Sequence, residues 1–147
     1  MTLNPEKAAL RKHILEKRDS TSFDLMEIHS EKILSKLMKT KVISEAKSIA
    51  CYYSIGSEVQ TVKLITQLLD EKKSVSLPRI SSNTMSFRTI DDLSKLDKGE
   101  FDIPEPKDNA PIQEKHDVIL VPCVGLDVKG NRIGSVSYTH LTLPTKA

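Results

Sequence analysis

The sequence predicts an α/β fold, three layers (α/β/α) around a mainly parallel sheet. Three observations carry that expectation. The run "DVILVP" at 117–122 is apolar almost throughout, the pattern of a parallel strand buried on both faces rather than the alternation of a half-exposed one. "SIACYYS" at 48–54 is rich in strand-forming residues, and a helix-patterned segment separates it from a second short apolar run, "SVSLP", at 74–78. Strand, helix, strand, then another apolar strand is the order that builds a parallel sheet covered by helices.

Each element has its own warrant. Asn4-Pro5 opens a first helix over 5–18, an N-cap followed by proline where its missing N–H needs no partner; this helix is strongly basic. A second helix is expected over 22–39, with Met26, Ile33, Leu34, Leu37 and Met38 on one stripe. The strand at 48–54 leads into a loop, "IGSEVQ", at 55–60. Thr61 then stands where it would cap a helix whose Val62, Ile65, Leu68 and Leu69 recur at helical spacing. Short strands are expected at 74–78 and 85–89, and a helical turn at 91–96. "GEFDIPEPKDNAP" at 99–111 reads as a proline-rich surface loop, and the apolar strand at 117–122 follows.

A chain of 147 residues suits one domain with a sizeable core. With 38% apolar and 29% charged residues it is not patterned for disorder. Twenty-two basic and 20 acidic side chains leave a net charge of +2, too balanced to mark a nucleic-acid or membrane-surface binder. No apolar run is long enough to span a bilayer, and "MTLNPEKAALRK" lacks the apolar centre of a signal peptide. Cys51 and Cys123 sit in apolar runs with no C-x-x-C partner, so buried reduced thiols in a cytoplasmic protein are expected.

In open parallel sheets, ligands bind beyond the carboxyl ends of the strands. The residues there are Gly56, Ser57 and Glu58, then Arg79, then Gly125, Asp127 and Arg132. Glu58 either holds N–H donors of a ring ligand or is an exposed acid favoured by the dipole of the helix after it. Tyr53 is either an aromatic wall or packing, and packing is the commoner case. The pattern Asp127-x-x-Gly-x-Arg-x-Gly, ending at Gly134, suits an anion facing backbone N–H groups somewhat better than a plain Asp-capped turn. Lys7 and Arg11 lie four apart on one helix face, and spacing alone favours an ordinary solvated basic face over a polyphosphate clamp. His13, His29, His116 and His140 show no ligand spacing, and no metal ligand is assigned.

Taken together, "KAALR" (7–11), "YYSIGSEVQT" (52–61), "VSLPRI" (75–80), "MSFR" (85–88), "FDIPEP" (101–106) and "DVILVPCVGLDVKGNRIG" (117–134) resemble the 5-formyltetrahydrofolate cyclo-ligase (methenyltetrahydrofolate synthetase) family in order and spacing. Two positions depart from it: Cys123 stands where the family usually has glycine, and Leu126 where it has phenylalanine. The resemblance implies an ATP- and Mg²⁺-dependent ligase of one-carbon metabolism that closes 5-formyltetrahydrofolate to 5,10-methenyltetrahydrofolate. It implies that Lys7, Arg11, Arg132 and Gly134 contact ATP, and that Tyr53 and Glu58 hold the folate. The expected partners are those small molecules, with no nucleic acid and no membrane, and the expected state is a cytoplasmic monomer. The alternative is a non-catalytic ligand- or RNA-binding module on the same fold. Family members continue after the glycine at 134 into a glycine-rich loop with two tyrosines and the metal-binding aspartate. Here "VSYTHLTLPTKA" (136–147) looks instead like a translated sequencing adapter. The expectation is therefore a cyclo-ligase-like domain over 1–135, incomplete at its C-terminus and inactive as it stands, with a non-native tail at 136–147.

Overall fold

The computed structural model describes residues 5–82, 84–99 and 102–134. The expected N-cap at Asn4, and the tail at 136–147, lie outside these residues.

The chain opens with α1 (Pro5–Asp19) and α2 (Phe23–Met38), the latter capped by Ser22, whose hydroxyl accepts from the Leu25 amide at 3.2 Å. A short helix, α3 (Lys41–Glu45), follows with Thr40 as its cap, accepting from the Ile43 amide at 3.4 Å. Sequence patterning missed it because it is too short to show a period. Then come β1 (Ser48–Ala50), α4 (Val62–Asp70) and the hairpin β2 (Ser74–Ser81) with β3 (Thr84–Ile90). Two-residue strands β4 (Asp97–Lys98) and β5 (Pro104–Glu105) pair with each other. The chain then gives β6 (Val118–Ile119), β7 (Cys123–Leu126) and β8 (Arg132–Gly134).

The central sheet has the order β3-β2-β1-β6, with β1 parallel to both β2 and β6 and β3 antiparallel at one edge. This is the mainly parallel α/β sheet the sequence called for. Its core lies on one face. Ile49, Cys51, Val75 and Leu77 project from β1 and β2 onto Ile43, Ala46, Leu64, Ile65 and Leu68 of α3 and α4, with Leu34, Leu37 and Met38 of α2 closing the layer. Fully burying one such aliphatic side chain is worth roughly 1.5–3 kcal/mol, so this cluster is the main source of stability. Burial also pushes the Cys51 thiol up to about 12, which leaves it protonated and inert.

The second face is crossed by an extended segment. Ile112 bridges to Arg88 on the free edge of β3, the Gln113 amide donates to the Phe87 carbonyl at 2.9 Å, and Asp117 reaches the start of β1. His116, in that crossing, stands edge-on against Phe87 with ring centroids 5.3 Å apart. The expected second helical layer does not fall within the described residues.

Three expectations need correcting. The run at 117–122 forms only a two-residue strand, and Val118, Ile119 and Leu120 are half-buried while Val121 is 36% exposed. β6 is the sheet's edge among the described residues, paired on β1 alone, so only part of its apolar surface is covered. The proline-rich segment is not simply a surface loop: Ile103, Glu105 and Pro106 are buried. The Glu105 carboxylate accepts from the Ile80 amide at 3.0 Å and a Cβ on Gly99 would collide with it, which is why glycine stands there. Ile33, expected on the core stripe of α2, is 48% exposed.

Candidate active site

The carboxyl end of β1 opens into loop 55–60. Gly56, with φ of +55°, supplies the left-handed residue that lets the Glu58 amide donate back to the Ile55 carbonyl at 3.1 Å. The Glu58 side chain folds back over the same turn, and its Oε1 accepts from the Ile55 amide at 2.9 Å. Gln60 ties the other side of the loop, its amide donating to Ser30 Oγ of α2 at 3.0 Å.

Glu58 is only 5% exposed, so it is not the solvent-exposed acid that position alone allowed. It lines a cavity of about 430 Å³ beyond the strand ends, with α2 on one side and residues 119–124 on the other. The walls are mostly aliphatic, from Ile33, Leu34, Leu37, Leu64 and Leu120, and the polar residues along them include Glu58, Tyr52 and Arg18. A largely apolar cleft with a few fixed polar groups is the usual form of a small-molecule site.

Of the tyrosine pair, Tyr52 lines this cavity, with its hydroxyl donating to the Val59 carbonyl at 2.9 Å. Burial above all, with the neighbouring Cys51 and Glu58 adding to it, pushes the Tyr52 phenol well above its ordinary value, so it stays a neutral donor. Tyr53 is half-buried and packs against the helix-side core. Tyr53 is not among the residues lining the cavity. Sequence alone could not decide which ring meets the cleft, and Tyr52 and Arg18 are the cavity residues it missed.

Thr61 does sit at the N-cap position of α4, but its hydroxyl makes no cap bond. It donates to the Tyr52 carbonyl at 2.9 Å and accepts from the Ser54 amide at 3.0 Å, closing the loop instead of starting the helix.

The expected phosphate residues lie on a second set of elements. α1 packs on β7, and Ile14 approaches so closely that a Cβ on Gly125 would stand 2.8 Å from its Cδ1. Arg11, half-buried, and Lys7, exposed, are one and two turns further toward the N-terminus of α1. Arg132 is exposed on β8, paired in register with Leu126, and Gly134 pairs with Cys123. None of these four is among the residues lining the Glu58 cavity. Asp127 caps its own turn: its carboxylate accepts from the amides of Lys129 and Asn131, each at 2.9 Å, and from Asn131 Nδ2 at 3.0 Å. Those bonds, the Asn131 side chain foremost, hold its pKa below the ordinary value, so the plainer reading of that acid is the one the structure shows. Arg79 is also turned to a structural task, donating through Nη1 to the Pro106 carbonyl at 2.7 Å. Cys123 is half-buried and lines the cavity, less enclosed than expected.

Among the described residues no three His, Cys, Asp or Glu side chains come together as a metal cluster. Among the same residues no helix is long and apolar enough to cross a membrane.

Comparison with known proteins fits this geometry. A 5-formyltetrahydrofolate cyclo-ligase of Haemophilus influenzae is 36% identical over 98 residues, a match covering 61% of this chain and 51% of that protein. The chain thus spans about half the length of that relative. The structure of Aquifex aeolicus 5,10-methenyltetrahydrofolate synthetase superposes with a TM-score of 0.79 at 31% identity, over 88% of this chain and 66% of that one. A 5,10-methenyltetrahydrofolate synthetase from Mycoplasma pneumoniae gives a TM-score of 0.67 at 26% identity, covering 91% and 72%. The sequence model of the 5-formyltetrahydrofolate cyclo-ligase family matches residues 3–136, from α1 through the cavity to β8. The chain belongs to that family.

Proposed function

We propose that this chain supplies the folate-holding part of an enzyme for the ATP-dependent cyclisation of 5-formyltetrahydrofolate to 5,10-methenyltetrahydrofolate, with ADP and phosphate as the other products. The observation that carries the proposal is the buried carboxylate of Glu58 in an apolar cleft beyond the strand ends. A reduced pterin is a flat ring whose edge carries N–H donors. A carboxylate already held in place can accept them without first being ordered.

A formamide oxygen is a poor leaving group, which is why ATP is needed. Transfer of the γ-phosphoryl to that oxygen gives an imidate-like phosphate. N10 then attacks the formyl carbon and loses its proton, the ring closes, and inorganic phosphate carries the oxygen away. The protein's part is positioning and charge neutralisation. In this reading Glu58 orients the pterin and Tyr52 flanks it. Tyr53, packed on the core side and outside the cavity lining, braces the loop rather than meeting the folate. Lys7, Arg11 and Arg132 neutralise phosphate charge, with Gly134 leaving backbone room for it. Mg²⁺ would arrive with the nucleotide, shielding its phosphates. A domain over 1–135, acting as a cytoplasmic monomer on small molecules and on neither nucleic acid nor membrane, goes with this proposal, and the near-balanced charge supports it.

The test is calorimetric titration with 5-formyltetrahydrofolate, followed by an absorbance assay for methenyltetrahydrofolate with ATP and Mg²⁺. Saturable folate binding is expected. Failure to bind the folate at all overturns the proposal.

A further inference from the structure

Loop 55–60 is held from outside by the end of α1. Arg18 Nε donates to Ser57 Oγ at 2.8 Å, and Ser57 Oγ in turn donates to the Asp19 carboxylate. A hydroxyl has one proton to give. With that proton on Asp19, a lone pair of Ser57 faces the guanidinium, so the pair of α1 side chains fixes both the position and the direction of the serine. Ser57 is the residue before Glu58, inside the turn closed by the Glu58 amide and the Ile55 carbonyl. Arg18 is half-buried and lies on the cavity wall.

We infer that Arg18 is a positioning residue for folate recognition, acting through Ser57 to hold loop 55–60 and with it the Glu58 carboxylate. The inference rests on the folate reading of the cavity given above. Its physical basis is preorganisation: a loop already fixed does not have to be ordered when the ligand arrives, and affinity rises by what that ordering would have cost. Helix α1 is a suitable anchor. It is a 15-residue rod packed on β7 through Ile14, one turn before Arg18, and it reaches the loop at Ser57, whereas the ties to α2 and at the neck act at Gln60 and at Ser54 and Thr61. Ser57 lies 39 residues away in sequence, so without this contact nothing in the local chain would join loop and helix.

Four variants test it: Arg18→Met, Ser57→Ala, their combination, and Arg18→Lys. Each is titrated with 5-formyltetrahydrofolate, and amide hydrogen exchange over residues 55–59 is followed without ligand. Melting curves like that of the unsubstituted protein show that the fold is kept. Each of the first two changes should weaken folate binding about tenfold and speed loop exchange. The combination should be no weaker than either alone, because both break one contact. Arg18→Lys, which keeps a donor, should recover part of the affinity. A loss in Arg18→Met with normal binding in Ser57→Ala would mean that Arg18 touches the ligand directly, and would overturn the inference. Unchanged affinity in both would overturn it as well, leaving the folate reading intact. No folate binding by the unsubstituted chain overturns that reading, and this inference with it.

Discussion

Ser54 and Thr61 bond each other across the base of loop 55–60: the Ser54 amide donates to Thr61 Oγ1 at 3.0 Å and the Thr61 amide donates to Ser54 Oγ at 3.1 Å. Both are buried, Thr61 at 1% exposure. The loop that presents Glu58 is therefore closed at its neck by two reciprocal hydrogen bonds before any ligand is present.

Thr61→Val keeps the shape of that side chain and removes the hydroxyl. The Ser54 amide, served by Thr61 Oγ1, would lose that partner in the interior, and the Tyr52 carbonyl would keep only the weak Cys51 thiol donor at 3.3 Å. An unsatisfied buried polar group costs about 1–3 kcal/mol, so a loss of about 2 kcal/mol is expected. Urea denaturation should show a lower midpoint with an unchanged slope. A change within about 0.5 kcal/mol, the usual range of surface substitutions, would mean that the neck bonds are dispensable.

Gly56→Ala isolates a conformational effect. The position has φ of +55°, and a Cβ there would meet nothing within 4 Å. Any loss must come from placing an L side chain in the left-handed region, about 1–2 kcal/mol. Gly56→Asn should lose less, because asparagine tolerates that region better. Thermal denaturation of the two variants side by side checks the order, and equal stability of all three proteins would refute the backbone account.

Much of this was legible in the sequence because its signals were local. Met26, Leu34, Leu37 and Met38 at helical spacing marked α2, and Val62, Ile65 and Leu68 marked α4. Glu58 was legible as a candidate because it follows a strand. What was not legible depends on partners distant in sequence. Thr61 has the residue type and place of a helix cap, but the Ser54 amide and the Tyr52 carbonyl, brought near by the loop, win its hydroxyl. Glu105 lies in a proline-rich stretch, yet it is buried and accepts from the Ile80 amide, 25 residues away in sequence. Tyr52 and Tyr53 are adjacent and chemically alike, so only the folded course of the chain after β1 tells which of them lines the cavity.

Asp117 predicts an acid-dependent part of the stability. Its Oδ2 accepts from the Lys47 amide at 2.8 Å and the Ser48 amide at 3.3 Å, latching the start of β6 to the start of β1. Those two bonds hold its pKa below the ordinary carboxylate value. A depressed folded-state pKa gives stability that is fully present above the unfolded value, about 3.9, and is lost as pH falls through the lower folded value. Asp117→Asn should therefore be less stable than the parent at neutral pH, and the gap should close as pH falls through the depressed folded value. Melting temperatures measured from neutral to acid pH decide this. A gap that stays constant with pH would show that the charge on Asp117 is irrelevant to the latch.

Glu58→Gln tests the site itself. The amide keeps the size of the side chain, and its oxygen can still accept from the Ile55 amide, now bonded at 2.9 Å to Oε1. The turn should therefore survive, and hydrogen exchange over residues 55–59 should be unchanged. What is lost is the negative charge of a residue that lines the cavity, is 5% exposed and stands among mostly aliphatic walls. A hydrogen bond to a charged group contributes roughly 1.5–3 kcal/mol, so affinity for 5-formyltetrahydrofolate should fall about ten- to a hundredfold. ATP affinity should change far less, because Lys7, Arg11 and Arg132 stand on α1 and β8, away from the cavity lining. Titrating both ligands into both proteins separates the cases. Equal losses for the two ligands would point to a disturbed fold, and no loss for the folate would leave Glu58 as nothing more than the acid that closes its own turn.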